Sequence, residues 1–232
     1  MHTPIPPGTI VEPTEDDVFT TTTAYQSVVG SLLHIANFTR PDISFAVGQL
    51  CRFMSAPRIK HFDLAHRVLR FLRQTKSAKI IYKTTDHKVT MYSDADYGNE
   101  NLVNWWSQRQ NIVATSTMEA EITPIKIATQ EASYLRQLLY ELDPNIFNST
   151  FQLLCDNKSA VHTVNDGGNF GRTKHYIIRI NYVRSCVNIG IIGVQHTPAE
   201  EMLADALTKP LTREKLKQIF PTSGLSLGSG EC

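Results

Sequence analysis

The residues with chemistry to offer are acids set at the ends of apolar runs. Asp94 and Asp96 close the run VTMYSDAD, Asp156 follows FQLLC, Glu119 and Glu121 open a helical pattern, and Asp205 falls within AEEMLADALTK. Carboxylates carried to one sheet edge by strand ends and a helix start can hold Mg²⁺. Two such ions, about 3.5–4 Å apart, activate a water and stabilise the leaving oxygen of a phosphodiester. Spacing alone leaves the plainer alternative open, since an acid after a strand is also a turn-former and Glu119 is also a capping residue. A second set is basic. From Arg58 to Lys83 there are eight Lys and Arg (Arg58, Lys60, Arg67, Arg70, Arg73, Lys76, Lys79 and Lys83) against the single Asp63, a local charge of +7 in a chain of net charge +1. Arg67, Arg70 and Arg73 recur every third residue, on one side of a helix, and Lys76 continues the series. Such a row either meets a polyanion or is a solvated helix face.

The elements that must position these groups follow from periodicity. Residues 1–22 are rich in Pro, Thr and acids and read as a disordered lead-in. Three helical patterns follow. Tyr25, Val28, Val29, Leu32, Ile35 and Ala36 share one face; Pro41-Asp42 opens a second helix with Ile43, Ala46, Val47, Leu50 and Met54 as its stripe. A third helix sets Ala65, Val68, Leu69 and Leu72 inward. The period changes at Ala78: AKIIYK, VTMYSDAD and QNIVAT read as extended. Ser116-Thr117-Met118-Glu119 fits a capping box, and Ile125, Ala128, Ala132, Leu135, Leu138 and Leu142 carry a long helix from there. FQLLC is a buried strand with a short helix behind it, TKHYIIRINYVRSCV a helix, IIGVQ a strand and AEEMLADALTK a last helix. Strands first, then strands alternating with helices, argue for an α/β mixed-sheet domain over about 77–210, with 23–76 helical and 211–232 a tail whose Gly/Ser-rich end, SGLSLGSGEC, is expected to fray.

Composition narrows the class. The chain has 232 residues, 41% of them hydrophobic, enough for a real core but for no more than one full domain with an appendage or two small domains. Net charge near zero excludes a globally basic nucleic-acid coat and an acidic tail. No apolar run reaches the roughly 18 residues that a membrane span needs, and the N-terminus lacks the apolar stretch of a secretory signal. Cys51, Cys155, Cys186 and Cys232 share no metal-ligand spacing, so an intracellular, reduced protein without structural zinc is expected.

A longer pattern joins these pieces. YQSVVGSLLHIANFTRPDISFAVGQLCRFMSAP resembles the segment just after the reverse-transcriptase core in Ty1/copia-type retrotransposon polyproteins. The resemblance continues in order through HRVLRFLRQT, YSDADYG, WWSQRQNIVATSTMEAEI, LLCDNKSAV, GRTKHYIIRINYVR and ADALTKPL, covering roughly residues 25–212. It implies a small helical connection segment of the reverse transcriptase, followed by a ribonuclease H-like mixed sheet with flanking helices that degrades the RNA of an RNA–DNA hybrid. Matched residue by residue, the family's four metal-holding carboxylates fall on Asp94, Glu121, Asp156 and Asp205. Two Mg²⁺ or Mn²⁺ ions would be their cofactors. His196, nine positions before Asp205, resembles a mobile histidine of some ribonucleases H, although the Ty1/copia pattern does not require one and His196 is equally a residue of the loop after a strand. The resemblance makes an RNA–DNA hybrid the partner, with Arg67, Arg70, Arg73 and Lys76 on its phosphates and a polymerase domain as a further neighbour; no small-molecule cofactor is implied. The polymerase's Tyr-x-Asp-Asp strand does not precede Tyr25, so the chain is not expected to polymerise by itself.

The chain also departs from the pattern. Tyr97 to Asn104 leaves eight residues where the family has a β-hairpin, too few for two strands of about 5–6 residues and a turn. The domain is therefore expected to lack one hairpin. Pro124 stands three positions after Glu121, where it costs a helix interior about 3 kcal/mol, and Ile177 replaces an acid of the family's motif. Two readings result: an active ribonuclease H, or a non-catalytic, truncated transposon relic that binds nucleic acid or protein at most. A protein recruited to an interaction role unrelated to nucleic acid is the remote third. For the ribonuclease H assignment, the strands before Asp94 and Asp156 should be adjacent and parallel; Glu121, where the two main readings separate, is expected to be the carboxylate most displaced from the Asp94/Asp156 pair.

Overall fold

A computed structural model describes residues 3–9, 11–15, 17–82, 89–93, 97–99, 105, 117–144, 149–166, 174–212, 214–217 and 225–226. The chain divides into two units: residues 1–82, 105–108 and 206–232 form the first, and residues 83–104 and 109–205 the second.

The first unit is built on helices α1 (Thr22–Phe38), α2 (Ser44–Cys51) and α3 (Ile59–Gln74). Tyr25, Val29, Leu32 and Ala36 of α1 meet Ala46, Val47 and Leu50 of α2 and Ala65, Val68 and Phe71 of α3 in one apolar core. Thr39-Arg40-Pro41-Asp42 turns the chain between α1 and α2. Pro41 starts a single 3₁₀ turn over Pro41–Ile43, where its missing N–H is no loss. The buried Arg40 guanidinium grips Asp42 through Nε–Oδ1 at 2.8 Å and Nη2–Oδ2 at 2.6 Å, and reaches the end of α3 through the Thr75 carbonyl at 3.1 Å and hydroxyl at 2.6 Å. Strand β1 (Lys79–Ile80) pairs antiparallel with β6 (Leu225–Ser226). The run AKIIYK thus contributes to a two-stranded sheet of the first unit and not to the larger sheet, and Leu225 of the expected frayed tail is fully buried. The lead-in is likewise packed where composition suggested disorder, because Ile5 and Val11 enter the helical core.

The second unit holds a four-stranded mixed sheet in the order β3-β2-β4-β5, made of β2 (Thr90–Ser93), β3 (Tyr97–Asn99), β4 (Phe151–Cys155) and β5 (Ile192–His196). β2 and β4 run parallel, as do β4 and β5, while β3 returns antiparallel to β2. The parallel neighbours are joined through α4 (Thr117–Leu142) and through α5 (Lys158–Asp166) with α6 (Lys174–Asn188), the long crossovers that parallel strands require. Met91, Phe151, Leu153, Ile192 and Val194 lie against Ile122, Ile125, Ala128 and Ala132 of α4, Ala160 and Val164 of α5, and Ile180 and Val183 of α6. Gly190, at φ 73°, ends α6: Ile191 N–H bonds the Cys186 carbonyl at 2.9 Å and Gly190 N–H the Val187 carbonyl at 3.0 Å, which frees the chain to enter β5. The last helical pattern is broken, giving a 3₁₀ turn at Ala199–Glu201 and the short α7 (Asp205–Thr208), with Met202, Leu203 and Ala204 buried between them. Among the described residues no helix is long and apolar enough to cross a membrane.

The strands preceding Asp94 and Asp156 are adjacent and parallel, as expected, with Ser93 in register with Cys155. Of the segment expected to lose a hairpin, Tyr97–Asn99 forms β3, and the Trp105 indole N–H bonds the Ala36 carbonyl of the first unit at 2.7 Å. Residues 100–104 and 106–116, including QNIVAT, lie outside the described residues.

Candidate metal centre

The candidate centre sits where three parallel strands end together. Ser93 of β2 pairs with Cys155 of β4, and Cys155 pairs with His196 of β5, so the C-terminal ends of the three strands form one edge. The alternating burial of FQLLC turns Phe151, Leu153 and Cys155 to the helical layer. Asp156 follows at once. Asn157 then caps α5, its Oδ1 accepting the Ala160 N–H at 3.0 Å, while its own N–H reaches the Cys155 Sγ at 3.4 Å. The cap fixes the turn that carries Asp156.

Glu121 arrives from the early part of α4. Its neighbour Ile122 is fully buried and, with Ile125, Ala128 and Ala132, sets the rotational phase of the helix on the sheet. A Glu121 carboxylate oxygen, an Asp156 carboxylate oxygen and the Cys155 Sγ all lie within 4.8 Å of one another. Cys155 is buried; Glu121 and Asp156 are half-buried, and the Glu121 Oε2 atom is shielded from solvent. Two carboxylates so placed repel unless a proton or a cation stands between them. The donor set fits a divalent cation: two hard oxygens beside one softer sulfur.

The sequence-predicted residues fare differently. Glu121 and Asp156 come together, so Pro124, inside an unbroken α4, does not draw Glu121 away from Asp156. Glu121 therefore stands close to Asp156, the one member of the expected Asp94/Asp156 pair that the described residues include. Asp205, buried at the start of α7, is not one of the trio. His196 is exposed as the last residue of β5, on the strand and not in the loop after it. Asp94 lies outside the described residues. Sequence reasoning missed Cys155, treating it as one of four scattered cysteines. The signal was its place at the inward end of an alternating strand, directly before an acid.

The basic row belongs to the first unit. Arg70, Arg73 and Lys76 are exposed, and Arg70 and Arg73 line an open depression of about 440 Å³ with Asp63, His66 and Leu69. Leu69 thus faces outward at 38% exposure, and Phe71 takes the inward place expected of it. Arg67 is half-buried, its Nε donating to the Thr3 carbonyl at 3.1 Å. Further back the lead-in occupies the basic groups. Lys60 pairs with Asp17 at 2.7 Å and holds the Asp17 carboxyl down at about 2, and Arg58 bonds the Asp17 carbonyl at 3.2 Å while covering the Phe19 ring. Arg52 pairs with Glu12. His61 is fully buried, its Nδ1 accepting the Arg58 N–H at 3.1 Å and its Nε2 2.9 Å from the Val11 carbonyl.

The chain is similar to known proteins along most of its length. The chain is 30% identical over 243 aligned positions to the retrovirus-related Pol polyprotein from transposon RE1 of Arabidopsis thaliana, an alignment covering 97% of this chain and 16% of that protein. It is 30% identical over 209 positions to the corresponding polyprotein from transposon TNT 1-94 of Nicotiana tabacum, covering 83% of this chain and 16% of that protein. With the transposon Ty1-JR2 Gag-Pol polyprotein of Saccharomyces cerevisiae it shares 24% identity over 225 positions, covering 88% of this chain and 13% of that protein. The chain therefore spans about 13–16% of the length of these relatives. No family model matches it. No solved structure matches it either.

Proposed function

The chain belongs to the Pol polyproteins of Ty1/copia-type retrotransposons, and from that premise we propose that its second unit is a ribonuclease H-type domain that hydrolyses the RNA strand of an RNA–DNA hybrid. The observation that carries the reading is the meeting of Glu121 and Asp156 beside the register pair Ser93–Cys155. An acid from a helix and an acid after a strand standing this close form an arrangement that a cation between them would stabilise.

Glu121 and Asp156 hold the cation by their oxygens, with Asp94 and Asp205 as the further carboxylates that the family pattern supplies. Mg²⁺ or Mn²⁺, two ions when the site is complete, contributes Lewis-acid chemistry at the phosphodiester. The remaining roles fall to the chain. The Asn157 cap keeps Asp156 facing the edge, the apolar seam of α4 keeps Glu121 at its side, and His196, exposed at the end of β5, can pass a proton to solvent as product leaves. Arg70, Arg73 and Lys76 take hybrid phosphates, with Arg67 steadying α3 through Thr3. A polymerase domain is the natural neighbour of such a unit. The second reading, a non-catalytic relic, draws on Asp205 standing outside the trio and on Pro124 inside α4.

Cleavage of a labelled RNA–DNA hybrid by the purified chain decides between them. The expected result is Mg²⁺-dependent cutting of the RNA strand that Asp156→Asn abolishes. Cutting that persists in Asp156→Asn refutes the proposed site, and a wild-type chain that does not cut is the relic.

A further inference from the structure

Cys155 has no part in the chemistry above, yet it stands inside the carboxylate site. Strand alternation turns its side chain inward at the last position of β4, and its Sγ lies within 4.8 Å of both a Glu121 and an Asp156 carboxylate oxygen. Donors bound to one ion at about 2.0–2.3 Å cannot be more than roughly 4.6 Å apart. Small side-chain rotations bring three atoms already this near onto one ion.

A second observation points to the same place. Ser93 is in register with Cys155 on the adjacent parallel strand, so both side chains leave the sheet on the same face. Ser93 is 0% exposed, and its Oγ has no hydrogen-bond partner among the described residues. A buried hydroxyl normally finds a partner. Here its register neighbour is the Cys155 of the trio, and a bound ion with its water would satisfy it.

We propose that Cys155, Glu121 and Asp156 form a mixed thiolate–carboxylate site that binds a borderline or soft divalent cation of the zinc and cadmium class. Mg²⁺ takes oxygen ligands and has little use for sulfur, whereas Zn²⁺ and Cd²⁺ gain most from the thiolate. The two classes of cation therefore compete for the same two carboxylates. The inference shares Glu121 and Asp156 with the ribonuclease H reading but not its reaction.

The test uses the full chain and the metals alone. Titration with Co²⁺ and with Cd²⁺ should produce a thiolate-to-metal charge-transfer band that saturates at one ion per chain. The band should remain in Cys51→Ser, Cys186→Ser and Cys232→Ser, disappear in Cys155→Ser, and need more metal to appear in Glu121→Gln and Asp156→Asn. X-ray absorption of the Zn²⁺-loaded wild-type chain should show one sulfur among oxygen neighbours, which requires no variant to fold. Absence of the band, a band that survives Cys155→Ser, or a zinc shell without sulfur overturns the proposal. A band without hybrid cleavage sinks the ribonuclease H reading alone, and cleavage without a band sinks this one alone.

Discussion

Replacing Arg40 by methionine tests what the Thr-Arg-Pro-Asp turn does. Methionine keeps the length of the side chain and much of its packing on Phe71, whose ring centroid lies 5.6 Å from the guanidinium carbon, while removing the charge. Asp42 is then left buried, at 4% exposure, without the bidentate partner that holds both of its oxygens. The Thr75 carbonyl and hydroxyl lose their donors in the same step. Removing one member of a buried ion pair costs about 3–5 kcal/mol. Domain stabilities of about 5–15 kcal/mol make that a third or more of the total in a typical case. Denaturant unfolding followed by Trp105 fluorescence, in a Trp106→Phe background, reads the helical unit directly, because the Trp105 indole is bonded to the Ala36 carbonyl at the end of α1. Arg40→Met should lose about 3–5 kcal/mol and the double variant Arg40→Met/Asp42→Ala should regain most of it, since the desolvated pair is itself close to neutral. A loss below about 1 kcal/mol, the scale of a surface pair, would refute the reasoning, as would a double variant no better than the single one.

Two further outcomes follow from the first unit. Burial, aided by the Lys60 and Arg58 charges and opposed by the Val11 carbonyl and Asp17, lowers the His61 pKa below its usual 6.5; its neutral form gives stability that is present above about pH 6.5 and lost as pH falls toward the folded value. Unfolding free energy should therefore fall between pH 7 and pH 5, and His61→Gln should flatten that fall; an unchanged slope removes His61 as its cause. Neutralising Arg70, Arg73 and Lys76 together should reduce the log–log salt dependence of hybrid binding by up to about 2.7, near 0.9 for each phosphate left without its cation. Arg67→Ala should lower stability and leave the slope alone, and a slope that ignores the triple change makes the row a solvated face.

What was legible in the sequence was whatever depends on near neighbours. The α1 stripe of Tyr25, Val29, Leu32 and Ala36 and the alternation of FQLLC are local periodicities, and both reached the core as read. Long-range choices were hidden. AKIIYK has strand character, but nothing local says that its partner is Leu225–Ser226. The α3 stripe read from apolar residues alone puts Leu69 inward, whereas the buried line runs through His61, Ala65, Val68 and Phe71. Two backbone partners make His61 a satisfied core residue, and its place on the buried face moves the inward line. The lead-in looked unstructured by composition, yet basic side chains of α3 take up its carbonyls and acids. In AEEMLADALTK, helix propensity lost to the burial of Met202, Leu203 and Ala204, which an unbroken helix would not have turned inward together.

Pro124 shows how such contests are decided. A proline in a helix interior costs about 3 kcal/mol, by a lost backbone bond and a clash one turn back. Fully burying an isoleucine contributes roughly 1.5–3 kcal/mol. Ile122 and Ile125, both fully buried on either side of Pro124, therefore offset its cost, and Ala128 and Ala132 continue the same seam. Packing locks the phase of α4, and Glu121 is carried to Asp156 by residues that do no chemistry. The acids meet because the sheet register and the helix seam bring them together, and neither depends on the acids themselves. Once they have met, the donors within reach would select any cation bound there: the carboxylate oxygens suit Mg²⁺, and the Cys155 sulfur suits zinc.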